Sequence, residues 1–134
     1  MCLEVKTVKN IHSLLVGYII REDRDNKYYP VWGNSNGCVA KLGDTITDPL
    51  WRESIIQNIK ADQVIGAGCL HVFKNKKDAL REVSLCYSNI VVIKVSIQEG
   101  LLLVGKSKGF SIRDPLSCYG CKSYKLIKLI NRNN

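Results

Sequence analysis

Gly66-Ala-Gly-Cys-Leu-His-Val-Phe73, followed by Lys74–Leu85 and then by Asn89-Ile-Val-Val-Ile-Lys-Val-Ser-Ile97, is the run on which the fold is decided. The glycines let the chain bend into Cys69–Phe73. In extended form Cys69, His71 and Phe73 point to one side, and Leu70 and Val72 to the other. Asn75 can cap a helix from Lys76 to about Leu85, whose apolar stripe is Ala79, Leu80 and Val83. Asn89–Ile97 is almost unbroken β-branched residue and predicts a central strand covered on both faces. The run therefore reads as strand, short helix, strand.

Outward from this centre the signals weaken. Towards the C-terminus, Glu99-Gly100 is a tight turn and Leu101–Val104 its hairpin partner. Lys106–Gly109 is a basic loop, Phe110–Arg113 a short strand, and Asp114–Cys121 turn-rich. Ser123–Ile130 has lysines at helical spacing, while Tyr124, Leu126 and Ile130 alternate as in a strand; a closing strand is the better reading. Towards the N-terminus, Met1–Asn10 is ambiguous and Ile11–Leu15 predicts a short helix capped by Asn10. Val16–Ile20 reads as a strand, Arg21–Lys27 as a charged turn and Tyr28–Trp32 as its hairpin partner. Gly33–Gly37 is a turn cluster and Cys38–Leu42 a short strand. Thr45–Ala67 predicts a loop with a turn or two of helix within Pro49–Asn58.

The 134 residues predict a single domain over 1–134, with 131–134 as a disordered tail. The fold class expected is α+β: one compact domain, a mostly antiparallel sheet of about five to seven strands, and one or two short helices. The net charge is +8, and six of those charges come from residues 101–134. Lys106, Lys108, Arg113, Lys122, Lys125, Lys128 and Arg132 face a single acid there, Asp114. Such a segment attracts polyanions: nucleic acid, an acidic membrane, an acidic partner or a phosphorylated small molecule. No apolar stretch approaches the roughly 20 residues needed to span a bilayer, and no secretory leader is read. An intracellular setting, cytoplasmic or nuclear, with reduced thiols and no membrane is the expectation.

Leu42-Gly43, Gly68, Leu70-His71, Phe73, Asp78-Ala79-Leu80, Val95 and Gly100 fall on a loose pattern, Y-x-V-G … G-(F/L)-H-x-(C/F) … D-A-L … V-x-V-x-G. On these residues the chain resembles a group of small viral and phage domains of uncharacterised function, over roughly residues 16–104. Cys69 stands between Gly68 and Leu70, and Leu42 replaces the first valine. The resemblance implies an accessory protein of a virus or mobile element. More remotely, the order of strands is similar to compact ADP-ribosyltransferase-like folds. Arg21 and Glu99 would then be the early arginine and the late acid, without the accompanying Ser-Thr-Ser or Glu-x-Glu motifs.

Four constellations could carry chemistry. Cys118-x-x-Cys121 has zinc-knuckle spacing, and Cys69 with His71 would complete a Cys3His site; the plainer reading is reduced thiols. His71 with Arg21 at a cleft would suit a small enzyme acting on a nucleotide or nucleic acid, against the plainer reading of a core histidine bonded to a backbone carbonyl. His12 and His71 lack the His-x-Thr/Ser framing of two-histidine phosphoesterases. Gly105-Lys-Ser-Lys-Gly109 lacks the spacing of a phosphate loop and reads as a hairpin turn. With no complete catalytic set, the expectation is a binding protein without a cofactor. It would engage a host protein or an anionic ligand through loop 44–68 and the segment 105–128, with Trp51, Lys106, Lys108, Arg113, Lys122, Lys125 and Lys128 as contact residues; a further reading is a nucleic-acid-binding protein that uses the basic tail, with affinity falling steeply with salt.

Overall fold

The structure is a computed structural model that describes residues 2–31, 39–83, 89–108 and 116–132. Among these, ten strands and two short helices follow in the order β1 (Cys2–Ile11), β2 (Leu15–Arg24), β3 (Lys27–Pro30), β4 (Thr45–Thr47), α1 (Glu53–Gln57), β5 (Val64–Ile65), β6 (Leu70–Phe73), α2 (Lys76–Val83), β7 (Ile90–Ile97), β8 (Gly100–Lys108), β9 (Ser117–Cys121) and β10 (Ser123–Arg132). All strands belong to one antiparallel sheet, ordered β4-β10-β7-β2-β6-β9-β8-β1-β5, with β3 on β2. The expected mostly antiparallel sheet with two short helices is present, but with ten strands among the described residues in place of five to seven, so that sheet dominates it more than a balanced α+β fold would.

The sheet curls on itself. β2 and β6 meet at one pair only, Tyr18 opposite Phe73. A side chain at Gly17 would stand 2.2 Å from Val72 Cγ1, so the inner faces of the two strands converge at this bend. On the far side the backbone closes a ring. β3 exchanges two hydrogen bonds with Ala40 through Tyr28. The chain then turns through Gly43, in the left-handed region at φ +96°; the Gly43 N–H donates to the Leu126 carbonyl, and the Leu126 N–H donates to the Asp44 carbonyl. β4 continues along β10, β10 pairs β7, β7 pairs β2, and β2 pairs β3. These five segments form a small barrel.

Two apolar clusters follow from the two faces. The inner one fills the barrel and runs on under β6, β8 and β9, with Ile19, Tyr28, Ile46, Val72, Ile93, Ile97, Tyr119 and Leu126. The outer one lies beneath the helices. Ala79 and Val83 of α2 cover Ile20, Ile90 and Val92, and Trp51, Ile56 and Ile59 join Leu3, Val5 and Leu103 in the same cluster. β7 is thus apolar on its whole inner side and, over Ile90–Val92, on its outer side as well, while Lys94 and Ser96 take the rest of the outer side.

Several expectations change. Residues 2–11 form a strand where the segment looked ambiguous, and no helix occupies 11–15. The charged turn 21–27 shrinks to Asp25-Asn26, both at positive φ, while Arg21–Arg24 continue β2. Asp and Asn tolerate that conformation, which is why two residues suffice. Ser117–Cys121 is a strand and not a turn. β10 takes in residues 131 and 132 of the expected disordered tail. The strand expected over Phe110–Arg113 and the turn cluster 33–37 lie outside the described residues.

Candidate functional site: a lysine strip on the outer face of the barrel

The spacing of three between lysines in Ser123–Ile130 is produced by a strand with two bulges. Pairing with β7 runs Lys125↔Ser96, Leu126↔Val95, Lys128↔Lys94, Leu129↔Ile93, Asn131↔Val92, so Ile127 and Ile130 are extra residues with no counterpart on β7. A bulge lets two residues face one on the neighbouring strand. Positions 125, 128 and 131 therefore oppose 96, 94 and 92, and a period of three on β10 matches a period of two on β7. Leu126 and Leu129 remain on the inner face, while Lys125 and Lys128 stand exposed outside.

Lys94 is directly opposite Lys128, and Tyr18 is directly opposite Lys94. Facing side chains in such a pair begin about 5 Å apart, and like charges placed so destabilise the sheet. Among the described residues Lys94, Lys125 and Lys128 make no ion pair. The second row, Val16↔Ser96↔Lys125↔Thr45, is likewise without a carboxylate. Exposed Val16 and Ile127 flank the lysines. α2 packs on this same face, and exposed Lys74, Lys76 and Lys77 follow directly on Phe73, the partner of Tyr18.

The other expected contact residues are dispersed. Lys106 is exposed on β8, where its register partners are Glu4 and Ser117, and its ammonium reaches Ser117 Oγ at 3.4 Å. Glu4 and Lys106 alternate with the outer-cluster residues Leu3, Val5 and Leu103, which puts Lys106 on the sheet face opposite Lys125 and Lys128. Lys122 is exposed at the β9–β10 corner. Lys108 ends β8 opposite Cys2, and Arg113 lies outside the described residues. Trp51 is a core residue, 6% exposed, with its indole N–H donating to Glu53 Oε1 at 3.2 Å; burial removes it from any contact surface. Sequence reasoning misses Lys94 and Tyr18. The signal for Lys94 is nevertheless present, because it is the one charge in the apolar run Asn89–Ile97.

Arg21 and His71 do not share a cleft. Arg21 is 2% exposed and lies on the inner face with Ile19, where it donates from Nη2 to Tyr124 Oη at 3.0 Å. His71 lies on the outer face between Cys69 and Phe73, half-buried, hydrogen-bonded to the backbone of Ile65 and with Nε2 4.0 Å from Cys69 Sγ. Burial lowers the His71 pKa to about 4. The ring is neutral at pH 7, with a backbone partner.

The cysteines are similarly placed by alternation. Cys118 and Cys121 are three residues apart in β9, so Cys118 faces the outer cluster and Cys121 the inner one. Burial raises the thiols of Cys69 and Cys118 to about 12 and pushes Cys121 up as well. Among the described residues no group of three or more His, Cys, Asp or Glu side chains converges as metal ligands would. Nor is any described helix long and apolar enough to cross a membrane. Comparison with protein-family models, with curated proteins and with solved structures gave no match.

Proposed function

We propose that this chain is a small binding protein that takes an anionic partner on the outer strip of Lys94, Lys125 and Lys128. The observation that carries this reading is Lys94 directly opposite Lys128 with no carboxylate in either row. A cross-strand lysine pair costs the sheet about 0.2–1 kcal/mol, and an anion seated between the two ammoniums removes that repulsion. The motif resemblance supports the setting, an accessory factor of a virus or mobile element acting on a component of its host.

The test compares wild type with Lys94→Gln/Lys128→Gln. The double variant is expected to be more stable in urea by a few tenths of a kcal/mol, and to elute from immobilised heparin at clearly lower salt. An unchanged elution position would remove the strip as the binding surface. A drop in stability would show that the two lysines serve the fold.

A further inference from the structure

We infer that the anionic partner is a single-stranded nucleic acid, laid across the strands so that one base stacks on Tyr18 and its flanking phosphates meet lysines on either side. This rests on the anionic-partner reading of the strip and names its ligand class. Tyr18 is half-buried on the outer face and packs against the cluster beneath α2. To one side of it stand Lys94 and Lys128 in the same cross-strand row, with Lys125 one row away. To the other side lie Phe73 and then the exposed Lys74, Lys76 and Lys77.

Strand spacing places Lys128 roughly 10 Å from Tyr18 across two strands, and the two β10 lysines roughly 7 Å apart along it. The first interval lies along the path of a chain laid across the strands, and the second sets Lys125 beside that path, where it can meet a neighbouring phosphate. Aromatic rings interleaved with cations on one surface are the means by which single strands are held without base-edge readout, since every base has a face to stack. A duplex keeps its bases stacked inside and would leave Tyr18 without a role. An acidic peptide would use the lysines and ignore the ring.

The experiment uses the whole chain and measures fluorescence anisotropy with a labelled oligothymidine of about 12 nucleotides, within the usual single-strand site size. A duplex of the same length and heparin serve as competitors. Tyr18→Leu, Tyr18→Phe and Lys94→Gln/Lys128→Gln are compared, each with its melting temperature. The single strand is expected to bind at least roughly tenfold more tightly than the duplex. Tyr18→Leu should lose about tenfold for the single strand alone, and Tyr18→Phe should keep the affinity because the ring remains. The lysine variant should flatten the slope of log affinity against log salt by about 0.7 for each phosphate it no longer neutralises.

Equal binding of duplex, heparin and single strand, with no effect of Tyr18→Leu, overturns this inference and leaves the anionic-partner reading standing. Loss of affinity in both Tyr18 variants together with a fall in melting temperature also overturns it, because the ring would then be serving the core. Absence of binding to all three polyanions overturns both readings.

Discussion

Burial holds the His71 imidazole at a pKa of about 4, against 6.5 for a solvated histidine. The unfolded chain takes up this proton near pH 6.5 and the folded chain only near pH 4, so between those values the unfolded state binds more protons. The stability this site contributes is fully present above pH 6.5 and is lost as pH falls towards about 4. Full burial would make the loss about 3 kcal/mol; for a part-exposed ring about 1–2 kcal/mol is expected. Urea unfolding of wild type and His71→Gln at pH 7.5 and pH 4.5 measures it. Wild type should lose more stability over that interval, by about 1–2 kcal/mol, than the variant. Parallel losses would mean that solvent reaches the ring freely. At the same scale, Arg21 shows how a residue can mislead: in sequence it belongs to the charged run Arg21–Asp25, and only alternation with Ile19 turns it inward to Tyr124.

At the scale of elements, the bend between β2 and β6 depends on the absence of a side chain at position 17. A Cβ there meets Val72 Cγ1 at 2.2 Å and the Phe73 carbonyl oxygen at 3.3 Å. Gly17→Ala should cost about 1–3 kcal/mol through overpacking. Val72→Ala removes the obstructing methyl, so the double variant should be less destabilised than the sum of the single changes by about 1 kcal/mol or more. Strict additivity in denaturant midpoints would show that the approach to the backbone, and not Val72, sets the cost. Elements of this kind explain which parts of the fold the sequence disclosed. β7 and α2 are legible because their apolar patterns are complete within the segment. β9 is not: Ser117-Cys-Tyr-Gly-Cys121 has the composition of a turn because Gly120 lies against Leu3, Leu103 and Cys69, where a Cβ would stand 2.9–3.1 Å away. The small residue is demanded by neighbours remote in sequence. β1 is masked for another reason, since Lys6 is an extra residue opposite β8 and breaks the alternation that Leu3 and Val5 begin.

For the whole molecule, the ring of five segments makes the C-terminal strand a structural member and not an appendage. β10 joins β7 on one side and the 43–47 segment on the other, and it sends Tyr124 and Leu126 into the barrel. Losing two such buried side chains costs about 2–5 kcal/mol each, comparable with the net stability of a domain at about 5–15 kcal/mol. A chain ending at Lys122 should therefore show no cooperative urea transition and no native near-ultraviolet circular dichroism. A cooperative transition at the wild-type midpoint would show that the ring can open without loss of the fold. This closure is not legible in the sequence. Ala40, Gly43 and Thr45–Thr47 carry no periodic signal, and the strand that seals the ring through Leu126 lies at the other end of the chain. The lysine strip is half legible: Lys125 and Lys128 stand out by charge, whereas their convergence with Lys94 and Tyr18 depends on the register.

The two extra residues of β10 have a geometric consequence. From Tyr124 to Arg132 the strand takes eight steps, while its neighbour covers the same ground from Ile97 to Val91 in six. The pair resembles two lanes of a curved track, the outer one longer than the inner. Straightening it would require two residues to be expelled, so the curvature is written into chain length and does not depend on side-chain packing alone. The spacing of the lysines on that outer lane is fixed before any ligand arrives, and little shape adjustment is left for binding to supply.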